Sequence, residues 1–214
     1  MEPWRGFQEG NAIQYTFFVP QDPVGLIGKV GEDLFNQRLD SIFVEARKSI
    51  FGGGKVAYAF SGLQSPYNHG NQPNLHISWL FNYSGKPYLT QKWTRLICDE
   101  FYGVTGDHGY GYGQDEDQGQ LGAWFVLSSM GLFDVQGGAC DNPTFQIGSP
   151  MFDRIEIKLN SKYAKGKTFV IETENNGKDS YYVQSAELNG KPLDNCWLYR
   201  RDFFKGGVLK LKNG

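Results

Sequence analysis

Cysteine is scarce in this chain of 214 residues. Cys98, Cys140 and Cys196 are too few and too scattered for a disulfide scaffold or a zinc site. Their odd number leaves at least one thiol unpaired within the chain, so cysteine usage does not fix the redox compartment. No run of about 18 apolar residues exists, and a helical membrane span is therefore not expected. An excess of positive charge is also missing. Lys plus Arg number 21 against 23 Asp plus Glu, a formal charge of −2 with a pI near 5.9. Without a basic field to hold a phosphate backbone, nucleic acid is not an expected partner. The opening residues, Met1-Glu2-Pro3-Trp4-Arg5-Gly6-Phe7, lack the charged-then-apolar layout of a leader. They start abruptly in chemically rich sequence, as a fragment of a longer chain would.

Glycine and aromatic residues are abundant instead. The 28 glycines are about 13% of the chain, roughly twice the usual ~7%, and aromatics make up 15%. That mixture suits loops and flat-ringed surfaces such as those that bind sugars; it does not suit a coiled coil or a disordered tail. Residues 32–45 carry Leu34, Phe35, Leu39, Ile42 and Phe43 near a 3.6-residue period and predict a core-facing helix. Further helices are predicted over 72–83, over 88–102 behind Lys86-Pro87, and over 118–130 up to Gly131. The Gly-rich stretches 51–70 and 103–114 between them are long enough to suggest function. After Gly131 the period changes to two. Residues 152–159, 168–174, 181–188 and 208–212 alternate apolar and polar, with turn signals at Asn175-Asn176-Gly177 and Asn189-Gly190. No repeat or low-complexity stretch is present. A helical segment over 1–132 followed by an antiparallel β-rich segment over 133–214 is the expected organisation.

The richest chemistry lies in Asp115-Glu116-Asp117-Gln118-Gly119-Gln120, just before the last predicted helix. Three consecutive acids repel one another unless a cation or a substrate uses them. Asp117 with Gln120 could form a capping box, but that leaves Asp115 and Glu116 without a purpose. An EF-hand loop is excluded, because counting from Asp115 its sixth position would be Gln120 and its twelfth Val126. Glu9, in Gln8-Glu9-Gly10-Asn11, reads alone as a solvated loop glutamate. Its interest is as a partner, since inverting glycoside hydrolysis needs a carboxylic acid and a carboxylate ~6.5–9.5 Å apart. The stretch from Tyr67 to His76, with His69, Asn71 and Gln72, is rich in amides and imidazole that suit sugar hydroxyls or a hard cation. His69 and His76 lack the spacing of helical zinc ligands. Phe51-Gly52-Gly53-Gly54-Lys55 lacks the P-loop spacing. Trp79, Trp93, Trp124 and Trp197 read as core, and Asn82-Tyr83-Ser84 is a formal glycosylation sequon.

Three ordered motifs carry a family resemblance. They are Glu9-Gly10-Asn11-Ala12-x-Gln14-Tyr15-Thr16-Phe17-Phe18-Val19-Pro20, then His69-Gly70-Asn71-x-Pro73 with Leu80-Phe81-Asn82-Tyr83, and then Asp115-Glu116-Asp117-x-Gly119-Gln120. Together with Gly148-Ser149-Pro150-Met151-Phe152 and Gln184-Ser185-Ala186 in the tail, the chain resembles glycoside hydrolase family 92, the calcium-dependent, inverting exo-α-mannosidases. The resemblance implies an α+β fragment: late helices of an (α/α)6 barrel followed by a β-rich antiparallel C-terminal segment. It implies Glu9 as general acid, and Asp115 and Asp117 as the general-base pair. His69, Asn71, Gln72 and Glu116 fall to substrate binding, with calcium ligation carried only weakly onto Asn71 and Gln72. The partners it implies are a mannose-containing glycan and the missing N-terminal part of the same polypeptide, in the periplasm or outside the cell. The fragment alone is expected to be inactive or weakly active. Many family members read His-Gly-Asn-Glu-Pro-x-His-His, where this chain has Gln72 and Leu75. That departure leaves linkage preference open. A non-catalytic carbohydrate-binding module, or another (α/α)6 inverting glycosidase, is the alternative reading.

Overall fold

Phe35, Leu39, Ile42, Phe43 and Ala46 recur along one side of a 16-residue helix, and that side is buried. This helix, α3 (Glu32–Arg47), follows two short ones, α1 (Ala12–Thr16) and α2 (Pro23–Val30), and precedes α4 (Pro87–Glu100) and α5 (Gln120–Ser129). The computed structural model describes residues 5–53, 62–103 and 118–214. Asp22 accepts from the Gly25 N–H at the start of α2, and Pro23 and Pro87 occupy first-turn positions where a missing N–H costs nothing. Leu34 departs from the predicted stripe: it is 41% exposed, and Asn36 takes an inward position instead. Asn36 donates to the Ser84 carbonyl, and the Ser84 hydroxyl donates back to Asn36 Oδ1 at 2.6 Å.

The helix predicted over 72–83 is not an α-helix. Two 3₁₀ turns, Gln72–Asn74 and Ile77–Asn82, replace it. All six residues of the second are buried, so the segment has no solvent face for an amphipathic helix to present. Trp79 stacks on Phe133 at 5.5 Å, and Phe43, Phe51, Tyr67 and Trp93 pack edge and face against one another. This aromatic core gathers the helical region from Phe17 to Val135.

The tail forms two sheets among the described residues. In the first, β2 (Thr144–Ile147) lies between β1 (Leu132–Phe133) and β7 (Trp197–Tyr199), antiparallel to both. The second has the order β3 (Arg154–Lys158), β4 (Thr168–Glu174), β8 (Gly207–Asn213), β5 (Val183–Leu188) and β6 (Lys191–Pro192). A four-residue helix, α6 (Arg200–Phe203), joins β7 to β8. The expectation of an antiparallel tail needs one correction: β8 runs parallel to β4. The last strand enters the slot between β4 and β5, pairing antiparallel with β5 and parallel with β4. Inward residues Ile155, Ile157, Phe169, Ile171, Leu209 and Leu211 build a second core, as the alternation predicts. Phe152 is not part of that face; it lies before the strand and is 56% exposed.

Polar bonds stitch the two cores together. Asn82 Nδ2 donates to the carbonyls of Ile147 and Cys196 at 3.1 and 3.2 Å. With Asn82 buried on these bonds, the Asn82-Tyr83-Ser84 sequon offers no accessible amide for a glycan. Arg95 reaches the Pro150 carbonyl, and Gly148 lies against the Trp79 ring, where a Cβ would come within 2.8 Å of it.

Candidate active site

Glu9 has a left-handed backbone, φ 51°, on a residue with a full side chain. Such conformations persist only where the surroundings over-determine them. Here they do. The Tyr15 hydroxyl donates to the Gln8 carbonyl at 2.7 Å, and Asn71 Nδ2 donates to the Glu9 carbonyl. Gly10 has no room for a side chain, since a Cβ would stand 2.7 Å from the Tyr15 ring and 2.9 Å from Gln14 Oε1.

Asn11 then anchors the segment from both ends of its amide. Its Oδ1 accepts from the N–H groups of Ile13 and Gln14, capping α1, while its Nδ2 donates to Leu63 and Ser65 carbonyls at 2.8 and 2.9 Å. Gln14 Nε2 donates to the Gly62 and Ser65 carbonyls as well. Asn74 Nδ2 closes the network on the Asn68 carbonyl at 3.0 Å. Many of the amides that the sequence offers to sugar hydroxyls are therefore engaged in holding backbone. What they hold is the loop that presents Glu9 outward. The Glu9 side chain is exposed and makes no hydrogen bond or ion pair among the described residues.

Beside this loop opens a cleft of about 280 Å³. Gln72, next to Asn71 in the chain, lies on its wall with Leu75, His76, Gln120, Trp124 and Asp134. Phe18 links loop to cleft through its ring contact with His76 at 5.7 Å, and Tyr15 bridges from Phe18 to Phe7. His76 Nε2 donates to the Phe17 carbonyl at 2.9 Å, and burial pushes its pKa down to about 4. Asp134 has its carboxylate on Arg200 at 3.2 Å and on the Gln136 N–H. Leu75 contributes its carbonyl to the Trp124 indole N–H at 2.8 Å.

The predicted site residues divide. Glu9 and Asn71 are brought into direct contact, and Gln72 follows on the cleft wall. His69 is not at the surface: it is 0% exposed, with Nδ1 and Nε2 each 2.7 Å from a phenol, those of Tyr67 and Tyr102. The Tyr102 hydroxyl donates to the Leu121 carbonyl, so His69 Nε2 is the donor of its pair and Nδ1 accepts from Tyr67. Burial holds this neutral imidazole well below its usual pKa and the Tyr67 phenol well above its own. The ring supports the floor, wedged against Trp124 at 4.2 Å, and is too enclosed for its nitrogens to meet a sugar. Asp115, Glu116 and Asp117 lie outside the described residues. The described chain resumes at Gln118 and Gly119, both left-handed, and Gly119 is the residue that caps α5. Helix α5 therefore starts at Gln120, and the cap position predicted for Asp117 belongs to Gly119.

For a metal, Gln72 on the cleft wall and Asn71 behind it carry amide oxygens, the type of donor that calcium accepts. Among the described residues no group of three or more His, Cys, Asp or Glu side chains could hold a metal ion. The donors fit in kind, and they would be part of a ligand set rather than all of it. Sequence reasoning missed Asn11, Gln14 and Tyr15 as the residues that fix Glu9. The Asn11 capping position two residues after Glu9 was the available signal.

The glycosyl hydrolase family 92 catalytic domain matches residues 2–214. A family GH92 α-mannosidase of Bacteroides thetaiotaomicron, solved with mannoimidazole, is 30% identical with a TM-score of 0.78, over 96% of this chain and 25% of that one. A family GH92 inverting mannosidase of the same organism is 33% identical with a TM-score of 0.76, over 97% and 28%. A secreted glycosidase of Arthroderma benhamiae is 28% identical over 209 residues, 96% of this chain and 23% of its own length. The chain thus spans about a quarter of the length of these relatives.

Proposed function

Because the chain belongs to glycosyl hydrolase family 92, we propose that it contributes the acid-bearing wall of an inverting exo-α-mannosidase that releases terminal mannose from glycans. The observation that carries this reading is the Glu9 loop: a left-handed acidic residue, clamped by Asn71 and Tyr15, whose side chain faces solvent next to a cleft. Holding a proton donor still while leaving it open to substrate is what general-acid catalysis requires. In the proposed reaction Glu9 gives its proton to the departing glycosidic oxygen. Asp115 and Asp117 take a proton from the water that attacks the anomeric carbon from the opposite face, and the product anomer is inverted. Gln72 and Gln120 on the cleft wall would bind hydroxyls, with Glu116 beside the base. Calcium, when bound, would act as a Lewis acid on vicinal sugar hydroxyls, with Asn71 and Gln72 offering amide oxygens to it. The relatives' greater length supports action as part of a longer polypeptide, and the secreted relative supports an extracellular site.

The test is proton NMR of α-mannobiose hydrolysis by this region within its longer polypeptide. The β-anomer of mannose should appear first, and Glu9→Gln should lose turnover by about 10²–10⁴ with unchanged melting. First appearance of the α-anomer, or wild-type rates in Glu9→Gln, contradicts the assignment. A binding-module reading is favoured only if both hold: no turnover in wild type and retained sugar affinity.

A further inference from the structure

A second groove, of about 170 Å³, opens at the seam between α4 and the β-rich tail and shares no lining residue with the cleft near Glu9. Ile147 and Leu193 line its apolar part, and Asp194 and Asn195 stand exposed at its rim. Gln91 reaches it from α4. This side chain is only 5% exposed; its Oε1 accepts the Val183 N–H at 3.0 Å, while its Nε2 has no hydrogen-bond acceptor among the described residues. Its N–H groups are left to water or to a ligand in the groove.

We propose that this groove is a second glycan-binding site, one that holds a single neutral pyranose without cleaving it. Sugar hydroxyls both donate and accept. The Gln91 N–H groups, the Asp194 carboxylate and the two-sided Asn195 amide answer both needs, and the apolar floor of Ile147 and Leu193 suits the C–H side of a ring. Among the described residues no lysine or arginine lines the groove, so anionic sugars are disfavoured. Asp194 is the one carboxylate among the described residues that line it, which leaves no acid–base pair for hydrolysis. The site is independent of the role given to Glu9.

Affinity electrophoresis of the chain through gels containing yeast mannan, a neutral polymer, tests it, with polygalacturonate as the anionic control. Asn195→Ala and Asp194→Ala alter exposed positions and should each weaken retardation by mannan about fivefold, the loss of roughly one hydrogen bond. Gln91→Leu should do the same, and Arg154→Ala, which lines neither cleft, should not. Retardation kept in Asn195→Ala, Asp194→Ala and Gln91→Leu would assign the polymer to another site and overturn the proposal. No retardation of the unaltered chain, or equal retardation by polygalacturonate, would overturn it as well.

Discussion

In the helical region Asn11, Gln14, Asn36 and Asn74 bury their amides and donate to carbonyls up to 54 residues away. On the outer face of the β-rich region the charged side chains play another part. Arg154, Glu172, Lys210 and Glu187 stand opposite one another in register across β3, β4, β8 and β5, a row of alternating charge on the outer face. One region uses polar groups to fix irregular backbone in the interior; the other uses them to keep a regular surface wet. The difference teaches where substitution should hurt. Loops that carry chemistry depend on individual hydrogen bonds, whereas the sheet depends on a pattern that tolerates exchange.

The largest effect tests whether both regions share ordinary core energetics beneath that contrast. Trp93→Ala removes a buried ring stacked on Phe43 at 5.3 Å and bonded to Asp40 at 2.7 Å. It should cost about 3–5 kcal/mol, as should Phe169→Ala in the sheet core, measured by urea unfolding. A cost near zero for either would show that its core is not packed as described. Next comes pH. The His76 pKa is about 4 in the folded chain against 6.5 for the free side chain. Between those values the unfolded chain takes up a proton that the folded one refuses. Stability is therefore complete above about pH 6.5 and falls by about 3 kcal/mol as pH drops to about 4. The buried His69 adds in the same direction. His76→Gln should flatten this slope, and an unchanged slope would break the link between buried polar groups and stability in the helical region.

Asn82→Ala sharpens the comparison at the seam, because it strips a donor from the Ile147 and Cys196 carbonyls. About 2 kcal/mol should be lost, and the two regions should then unfold less cooperatively in calorimetry. The smallest effect belongs to the charged row. Arg154 lies 3.8 Å from Glu172, and both are well exposed. Arg154→Ala should therefore change stability by at most about 1 kcal/mol, with the change vanishing in high salt. A larger, salt-independent loss would mean that the sheet surface also rests on individual bonds.

Legibility in the sequence follows the same divide. Strand β4 coincides with the predicted 168–174, and β3, β5 and β8 lie within two residues of their predicted limits, because alternation is a local signal. The parallel pairing of β8 with β4 was not legible; strand direction is set by which slot is open, and no local residue encodes that. Helices α3 and α4 were readable from their apolar stripes. The 3₁₀ turns at Gln72–Asn74 and Ile77–Asn82 were not, since a segment buried on all sides loses its periodic signature. Glu9 could be singled out as a residue type. Its clamp by Asn71 joins positions 62 apart and appears only in the folded chain. His69 shows the converse: an imidazole in a polar-looking loop that folding turns inward between two phenols.

The central claim is that Glu9 protonates the leaving group, and leaving-group dependence addresses it most directly. Within the longer polypeptide, Glu9→Gln should hydrolyse α-mannobiose about 10²–10⁴ slower than the unaltered enzyme. On dinitrophenyl α-mannoside, whose phenolate departs without a proton, the two should differ by less than about tenfold. An equal deficit on both substrates would mean that Glu9 positions or binds the sugar, and the account of this loop as a presented acid would be wrong.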